Sequence, residues 1–470
     1  MDRVNTSHVN NNNNVTFTEG QKDAYHKATM TNDNMFITGS AGVGKSFVLK
    51  KIVDNFTHRN INHIVVAYTG VAALNVNGVT IHRAFGLRLG VESIKDIAEI
   101  KDNRYVLRYI MSDDVRNMIS NLNVLIIDEI SMVSRNMFNM LHVLCSVVKK
   151  NNNPFGGIRV IALGDFLQLK PIASNVINTE TYKKDYSNIK SVNYAFESDL
   201  WEYMMKCNIV LTEGMRQNDK TFYDLLSNVR INKLSDYNIF DSISITNEES
   251  EHIKYRDWTF IYNLNSKKDE RNIKMLRSLP GKEIKYPRSI NYPYGIDNVD
   301  KNLEATMFPM IPHILSLKIG AKVMIIKNHR IKEKVGYNIV EHDVVNGDKG
   351  TIVAFTLSDP PYPRVRLDRN SNIIVTIREC TWEAYDYRKR PVIATTQLPL
   401  ALAYAITVHK SQGLTLDNVV VDMQSYKSEG LTYVALSRCR SLHTLRIINF
   451  NSDSIRVNNE ALKHFNKICK

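Results

Sequence analysis

Two short stretches carry residues spaced for phosphate chemistry. In Gly39-Ser40-Ala41-Gly42-Val43-Gly44-Lys45-Ser46, the glycines free the backbone to wrap closely and turn its N–H groups inward. A helix predicted from Lys45 adds its positive dipole end, so negative oxygens would be held there. Lys45 can reach terminal phosphates and the Ser46 hydroxyl can ligate a magnesium ion. Further on, the apolar run "NVLII" ends on adjacent carboxylates, Asp128 and Glu129. Behind such a phosphate loop, the aspartate would hold the magnesium shell and the glutamate would polarise an attacking water. Gln168, just past the run "RVIALGD", has a neutral amide that can hydrogen-bond a γ-phosphate or the attacking water. Arg216 in "LTEGMRQND" and Arg438 in "VALSRCRSL" are guanidiniums suited to charge developing on a transferring phosphoryl group.

Such groups need strands and helices to place them. Apolar, β-rich runs at Met35–Thr38, Ile64–Thr69, Val124–Glu129, Arg159–Asp165 and Asn208–Thr212 are mostly separated by helical spacing. A second set follows at Thr259–Asn263, Ala321–Asn328 and Asn418–Met423. Strands alternating with helices predict parallel sheets covered on both faces, hence two α/β domains. From Gly347 to about Arg390, short strands between Pro, Gly and Asn turns predict a small all-β insertion in the second.

Composition narrows the class. The chain has 470 residues, room for roughly two to four domains, and a net charge of +13 with a pI near 9.3. That balance favours a polyanionic partner, most economically nucleic acid, although no single lysine block stands out. No apolar run has membrane-spanning length and the N-terminus lacks a signal-peptide core, so the expectation is a soluble intracellular protein, in nucleus or cytoplasm, with no membrane partner. Five scattered cysteines without a C-x-x-C pair indicate neither a zinc site nor a disulfide framework. Asn10 to Asn14 read as part of a disordered lead-in over 1–14.

Taken in order, "GSAGVGKS", "AYTGVAALNVNGVTIHRAF", "IIDEISMVS", "NPFGGIRVIALGDFLQLKP", "LTEGMRQ", "VVNGDKGTI", "YAITVHKSQGLTLDNVVVD" and "VALSRCRSLHTLRI" resemble the helicase motifs of the PIF (petite integration frequency) family, related to the RecD-like enzymes of superfamily 1B. The likeness runs from Phe17 nearly to the end. It implies two RecA-like P-loop parallel-sheet domains, the first over 15–175 with a wedge segment near 86–120. The second would cover 176–346 and 396–470, interrupted by a small β-barrel at 347–395 beside the DNA. It further implies that Gln21 reads the adenine edge, that residues 39–46 hold ATP with Mg2+ on Ser46 and Asp128, and that Gln412 and Gly413 face the nucleotide. Lys45, Glu129 and Gln168 fall on the P-loop, catalytic-base and γ-phosphate-sensing positions, with Arg216 and Arg438 on the two arginine fingers. Thr69, Gly70, His82, Thr407 and His409 match positions that line a single-stranded DNA track. The segment Ser131 to Gly157 resembles the family's signature, while its Met and Leu spacing predicts a buried helix face. Lys170, Ser134 and the Gly214–Met215 pair depart from the residues usual in the family.

The function so implied is an ATP-dependent helicase that travels 5′-to-3′ on single-stranded DNA and opens forked or tailed duplexes in replication, repair or recombination, as a monomer when free. Three other readings differ in what they omit. A nucleic-acid-binding ATPase or translocase would lack strand separation, a P-loop phosphotransferase would lack a DNA track, and a non-enzymatic binder would lack the complete catalytic set.

Overall fold

The computed structural model describes residues 17–69, 72–73, 76–87, 93–101, 104–108, 111–171, 193–214, 219–234, 236–256, 258–292, 311–327, 329–335, 338–344, 348–385, 391–416, 418–424 and 426–469. The Asn-rich lead-in, Gly70 and Arg216 lie outside them.

The first parallel sheet is built from β1 (Met35–Gly39), β2 (His63–Ala67), β3 (Val79–Thr80), β6 (Val124–Asp128), β7 (Arg159–Gly164) and β8 (Cys207–Leu211), in the order β3-β2-β6-β7-β1-β8. Between β3 and β6 the chain forms an antiparallel hairpin of β4 (Ala98–Lys101) and β5 (Arg104–Leu107). The sheet strands are apolar throughout because both faces are covered. Phe36, Leu125, Ile127, Val160 and Ala162 pack on one side, with helix Arg135–Lys149. Met35, Ile37, Ile126, Ile161 and Leu163 pack on the other with residues of helices Glu19–Met30 and Lys45–His58. Alternation with period two divides neighbours between these faces.

The second sheet opens with β9 (Thr259–Tyr262). An antiparallel region then follows: β10 (Ile284–Pro287), β11 (Ser289–Asn291), β12 (Ile314–Leu317), β13 (Lys322–Ile325), β14 (His329–Val335), β15 (Asn338–Val344), β16 (Lys349–Phe355), β17 (Pro363–Leu367), β18 (Ile374–Thr376), β19 (Cys380–Tyr385), β20 (Pro391–Gln397) and β21 (Leu400–Leu402). The chain returns through β22 (Ala405–Thr407), β23 (Val419–Asp422) and β24 (Leu445–Ile448), giving a parallel order β22-β9-β23-β24. Two parallel sheets with helical cover make the molecule α/β, as expected. Among the described residues, no helix is long and apolar enough to cross a membrane.

Three boundaries differ from the sequence reading. The first unit does not end at 175: β8 pairs with β1 from Met35↔Cys207 to Gly39↔Leu211, because its apolar residues Ile209 and Leu211 complete the core beneath the phosphate loop. The all-β insertion is wider than 347–395. β13 and β21 join β16, β17 and β18 in one antiparallel sheet, so Ala321–Asn328 supplies a strand here and not to the second parallel sheet. Val323 and Ile325 bury against Ile352, Val365 and Leu400, which fixes that register. Finally, helix Asn459–Ile468, expected within the second unit, packs on the first, with Ala461 and Phe465 against the core that holds Phe36 and Phe166.

Candidate functional site

The phosphate loop leaves β1 at Gly39, where an added Cβ would lie 2.5 Å from the Leu211 carbonyl oxygen. It enters helix Lys45–His58 through Gly44, which has a left-handed φ of 82°. Such a cap suits glycine and leaves the first N–H groups of the helix unspent. The Lys45 ammonium folds back on the loop, donating to the Gly39 carbonyl at 2.7 Å and the Ser40 carbonyl at 2.9 Å. Burial lowers its pKa, against the opposing pull of Asp165, Glu129 and Asp128. Three of the candidate groups therefore share one electrostatic neighbourhood.

Asp128 ends β6 buried, and burial together with the Glu129 charge pushes its pKa up to about 7. Glu129 follows in a left-handed conformation with φ 51°, a costly placement for a non-glycine residue. Its Oε2 accepts from Gln412 Nε2 at 3.3 Å, and the same amide reaches Ser131 Oγ at 3.4 Å. Gln412 thus bridges from the second unit to the proposed base, while its Oε1 is buried without a partner. Gln168 sits in the turn after β7, donating to Asp165 Oδ2 at 3.4 Å and keeping a buried, unpartnered Oε1. Orphaned buried acceptors fit a site that completes itself with ligand.

Gln21 is fully buried and already engaged: its Nε2 donates to the Val43 carbonyl at 3.0 Å and its Oε1 accepts from Thr18 N at 3.1 Å. It braces the loop from the first helix's capping box. Arg438 is buried inside the second unit, bonding the Val434 carbonyl at 2.8 Å and Ser437 Oγ at 2.7 Å. Gly413 follows Gln412 with φ 78°.

The expected DNA-track residues fall into two groups. Thr69, after β2, caps the next turn by accepting from Ala72 N at 3.2 Å, and His82 lies on the short helix after β3 with its ring 5.9 Å from Tyr68. Thr407 ends β22 buried, and His409 follows it half-buried. Burial lowers the pKa of both histidines. Both groups sit at or just past strand C-terminal ends: Thr69 after β2, His82 after the edge strand β3, and Thr407 and His409 at the edge strand β22.

Several residues beyond those expected close the cleft. The Ala41 N–H donates to the Tyr433 hydroxyl at 2.6 Å, Arg230 forks onto Asp165, and Gly430 (φ +74°) packs so tightly that a Cβ would lie 2.6 Å from the Gln168 carbonyl oxygen. Asp165 had a signal, since "IALGD" ends on an acid as "LIID" does. Tyr433, Gly430 and Arg230 had none, because each reaches its partner (Ala41, Gln168 and Asp165 respectively) from a distant part of the chain.

A magnesium ion fits these donors in one way. Among the described residues, no group of three or more His, Cys, Asp or Glu is placed to hold a metal. A single buried carboxylate and a loop hydroxyl suit a small hard cation that takes its remaining oxygens from water and phosphate.

Comparison with known proteins agrees with this geometry. Residues 16–239 match the family model described as PIF1-like helicase. A Danio rerio protein named ATP-dependent DNA helicase PIF1 is 32% identical over 456 residues, 96% of this chain and 64% of that protein. The chain therefore spans slightly less than two thirds of that relative's length. The crystal structure of Pif1 helicase from Candida albicans superposes with a TM-score of 0.78 at 29% identity, covering 97% of this chain and 99% of that one. Pif1 helicase from Bacteroides in complex with ADP-AlF3 and ssDNA gives 0.73 at 25% identity, with 96% of each covered. Motif order, site geometry and these similarities agree: the chain is similar along nearly its whole length to PIF1-like helicases.

Proposed function

We propose that the protein is an ATP-dependent DNA helicase that moves 5′-to-3′ along single-stranded DNA and separates duplexes ahead of it. The observation that carries the reading is that the phosphate loop and the acids behind it are met from the second unit, by Tyr433 on Ala41, Gln412 on Glu129 and Arg230 on Asp165. Residues 39–46 bind the triphosphate, and Lys45 exchanges its two loop carbonyls for phosphate oxygens. Ser46 and Asp128 hold Mg2+, which when bound neutralises phosphate charge. Glu129 accepts a proton from the attacking water, and Gln168 orients that water through its free Oε1. Arg438 must swing from its carbonyl partners to reach a phosphoryl group, and Arg216 is proposed as the second finger. Gln21 supports the loop and, on the family resemblance, the adenine edge.

ATP between the two parallel sheets draws them together, and product release lets them part. Thr69, Gly70, His82, Thr407 and His409, carried on opposite units, are proposed to hold the strand alternately. The β4–β5 hairpin exposes Ile100, Tyr105 and Val106, an apolar and aromatic tip suited to stacking against an opening base pair. The protein is proposed to act as a monomer when free, on single-stranded, tailed or forked DNA.

The test is strand separation on matched 5′-tailed and 3′-tailed duplexes with ATP and magnesium. Opening of the 5′-tailed substrate alone, abolished by Lys45→Ala, is expected. ATP turnover that DNA does not stimulate, with neither duplex opened, would overturn the helicase reading.

A further inference from the structure

Arg230 is the last residue of helix Lys220–Arg230, which buries Phe222, Leu225, Leu226 and Val229 in the core of the second parallel sheet. Its guanidinium leaves that unit. Nε donates to Asp165 Oδ2 at 2.9 Å and Nη2 to Asp165 Oδ1 at 2.7 Å, at the end of β7 in the first. The pair is almost sealed, with Arg230 7% and Asp165 1% exposed, and the Phe465 ring lies 4.3 Å from the guanidinium carbon. A buried ion pair repays its desolvation only when the remaining lone pairs are also satisfied.

Here they are satisfied by one particular turn. Asp165 Oδ1 also accepts from Leu167 N at 3.2 Å, and Oδ2 accepts from the Gln168 amide at 3.4 Å. The Asp165 carbonyl oxygen in addition takes the Gln168 N–H at 3.0 Å. Both bonds to Gln168 therefore end on Asp165, and the one that orients its amide ends on a carboxylate held from the other unit. Gln168 Oε1 is the end of the amide left without a protein partner.

We propose that Arg230 is a positioning residue for hydrolysis: by forking onto Asp165 it fixes which end of the Gln168 amide is free, and it does so only while the second unit is closed on the first. Its role differs from that of Arg216 and Arg438, because its fork is committed to a carboxylate and not to phosphate. Closure of the cleft and readiness of the water-orienting amide become one event. The inference rests on the ATP-hydrolysing reading above.

The experiment uses the full chain with Arg230→Gln, Arg230→Lys, Asp165→Asn and the Arg230→Gln/Asp165→Asn double variant. DNA-stimulated turnover and amide hydrogen exchange at Leu167 and Gln168 are measured at a temperature where circular dichroism shows each variant folded. Arg230→Gln and Asp165→Asn are expected to lower kcat by about tenfold or more while KM for ATP stays within about threefold, the pattern of a group acting on the chemical step. The double variant should lose no more than the worse single, because both remove one unit. Arg230→Lys, which keeps the charge, should recover part of the loss, and exchange at 167–168 should quicken in Arg230→Gln. Unchanged kcat in the folded variants, a loss confined to KM, or unaltered exchange would overturn the proposal. Wild-type turnover against Lys45→Ala reads the hydrolase assignment separately, and the exchange measurement decides the positioning role even without turnover. If Arg230→Gln does not fold, the same kcat, KM and exchange criteria apply to Asp165→Asn.

Discussion

Tyr433 shows how much of the nucleotide site is held by single atoms. Its hydroxyl accepts the Ala41 N–H at 2.6 Å, and both residues are buried. Tyr433→Phe leaves that loop amide without a partner, so the variant should lose about 1–3 kcal/mol, read as a lower urea midpoint. Glu129 illustrates the opposite kind of cost. Its φ of 51° is strain retained at the end of β6, beside the buried Asp128. The departures from family usage have local explanations too. Lys170 pairs with Glu429 across the cleft at 3.1 Å, Ser134 caps helix Arg135–Lys149 by accepting from Met137 N at 3.1 Å, and a Cβ on Gly214 would strike the Tyr223 ring at 2.7 Å.

At the scale of elements, helix Asn459–Ile468 is the strap that returns from the second sheet to the first. His464 stacks on Phe196 with ring centroids 4.2 Å apart and planes 7° apart, and its Nε2 is buried without a partner. Burial lowers its pKa from an ordinary 6.5 to about 4, with Lys467 acting in the same direction and Glu202 opposing. The folded chain therefore keeps this imidazole neutral, whereas the unfolded chain protonates it below about 6.5. Stability from docking is complete above that value and falls as the pH drops towards about 4, by up to about 3 kcal/mol. His464→Phe should flatten the melting-temperature profile across that window. A wild-type profile with no slope between these values would contradict the docked, neutral histidine.

Charge belongs to the whole molecule. A surplus of +13 is spread over the chain, so binding to single-stranded DNA should be largely sequence-independent and should release counterions. The logarithm of affinity should fall linearly with the logarithm of salt concentration, losing about tenfold or more between about 50 and about 200 mM. Fluorescence anisotropy with two unrelated sequences checks both points. A flat salt response would argue against a phosphate-gripping track. Because ATP and DNA are proposed to act on one closure, DNA should also lower the ATP concentration needed for half-maximal turnover.

The sequence by itself determined the phosphate loop, the paired carboxylates, the strands that carry them and the order of motifs. These depend on local spacing: glycines that permit a tight turn, and apolar runs that have only a parallel sheet to enter. Only the tertiary structure decided where β8 pairs in the first sheet, that β13 and β21 belong to the antiparallel insertion, and that the last helix crosses back. Edge pairing and helix docking follow from complementary apolar surfaces far apart in the chain, which no local pattern records. It also decided the cleft's second side. Arg230 lies 65 positions from Asp165 and Tyr433 lies 392 from Ala41, so their chemistry exists only once the two sheets meet.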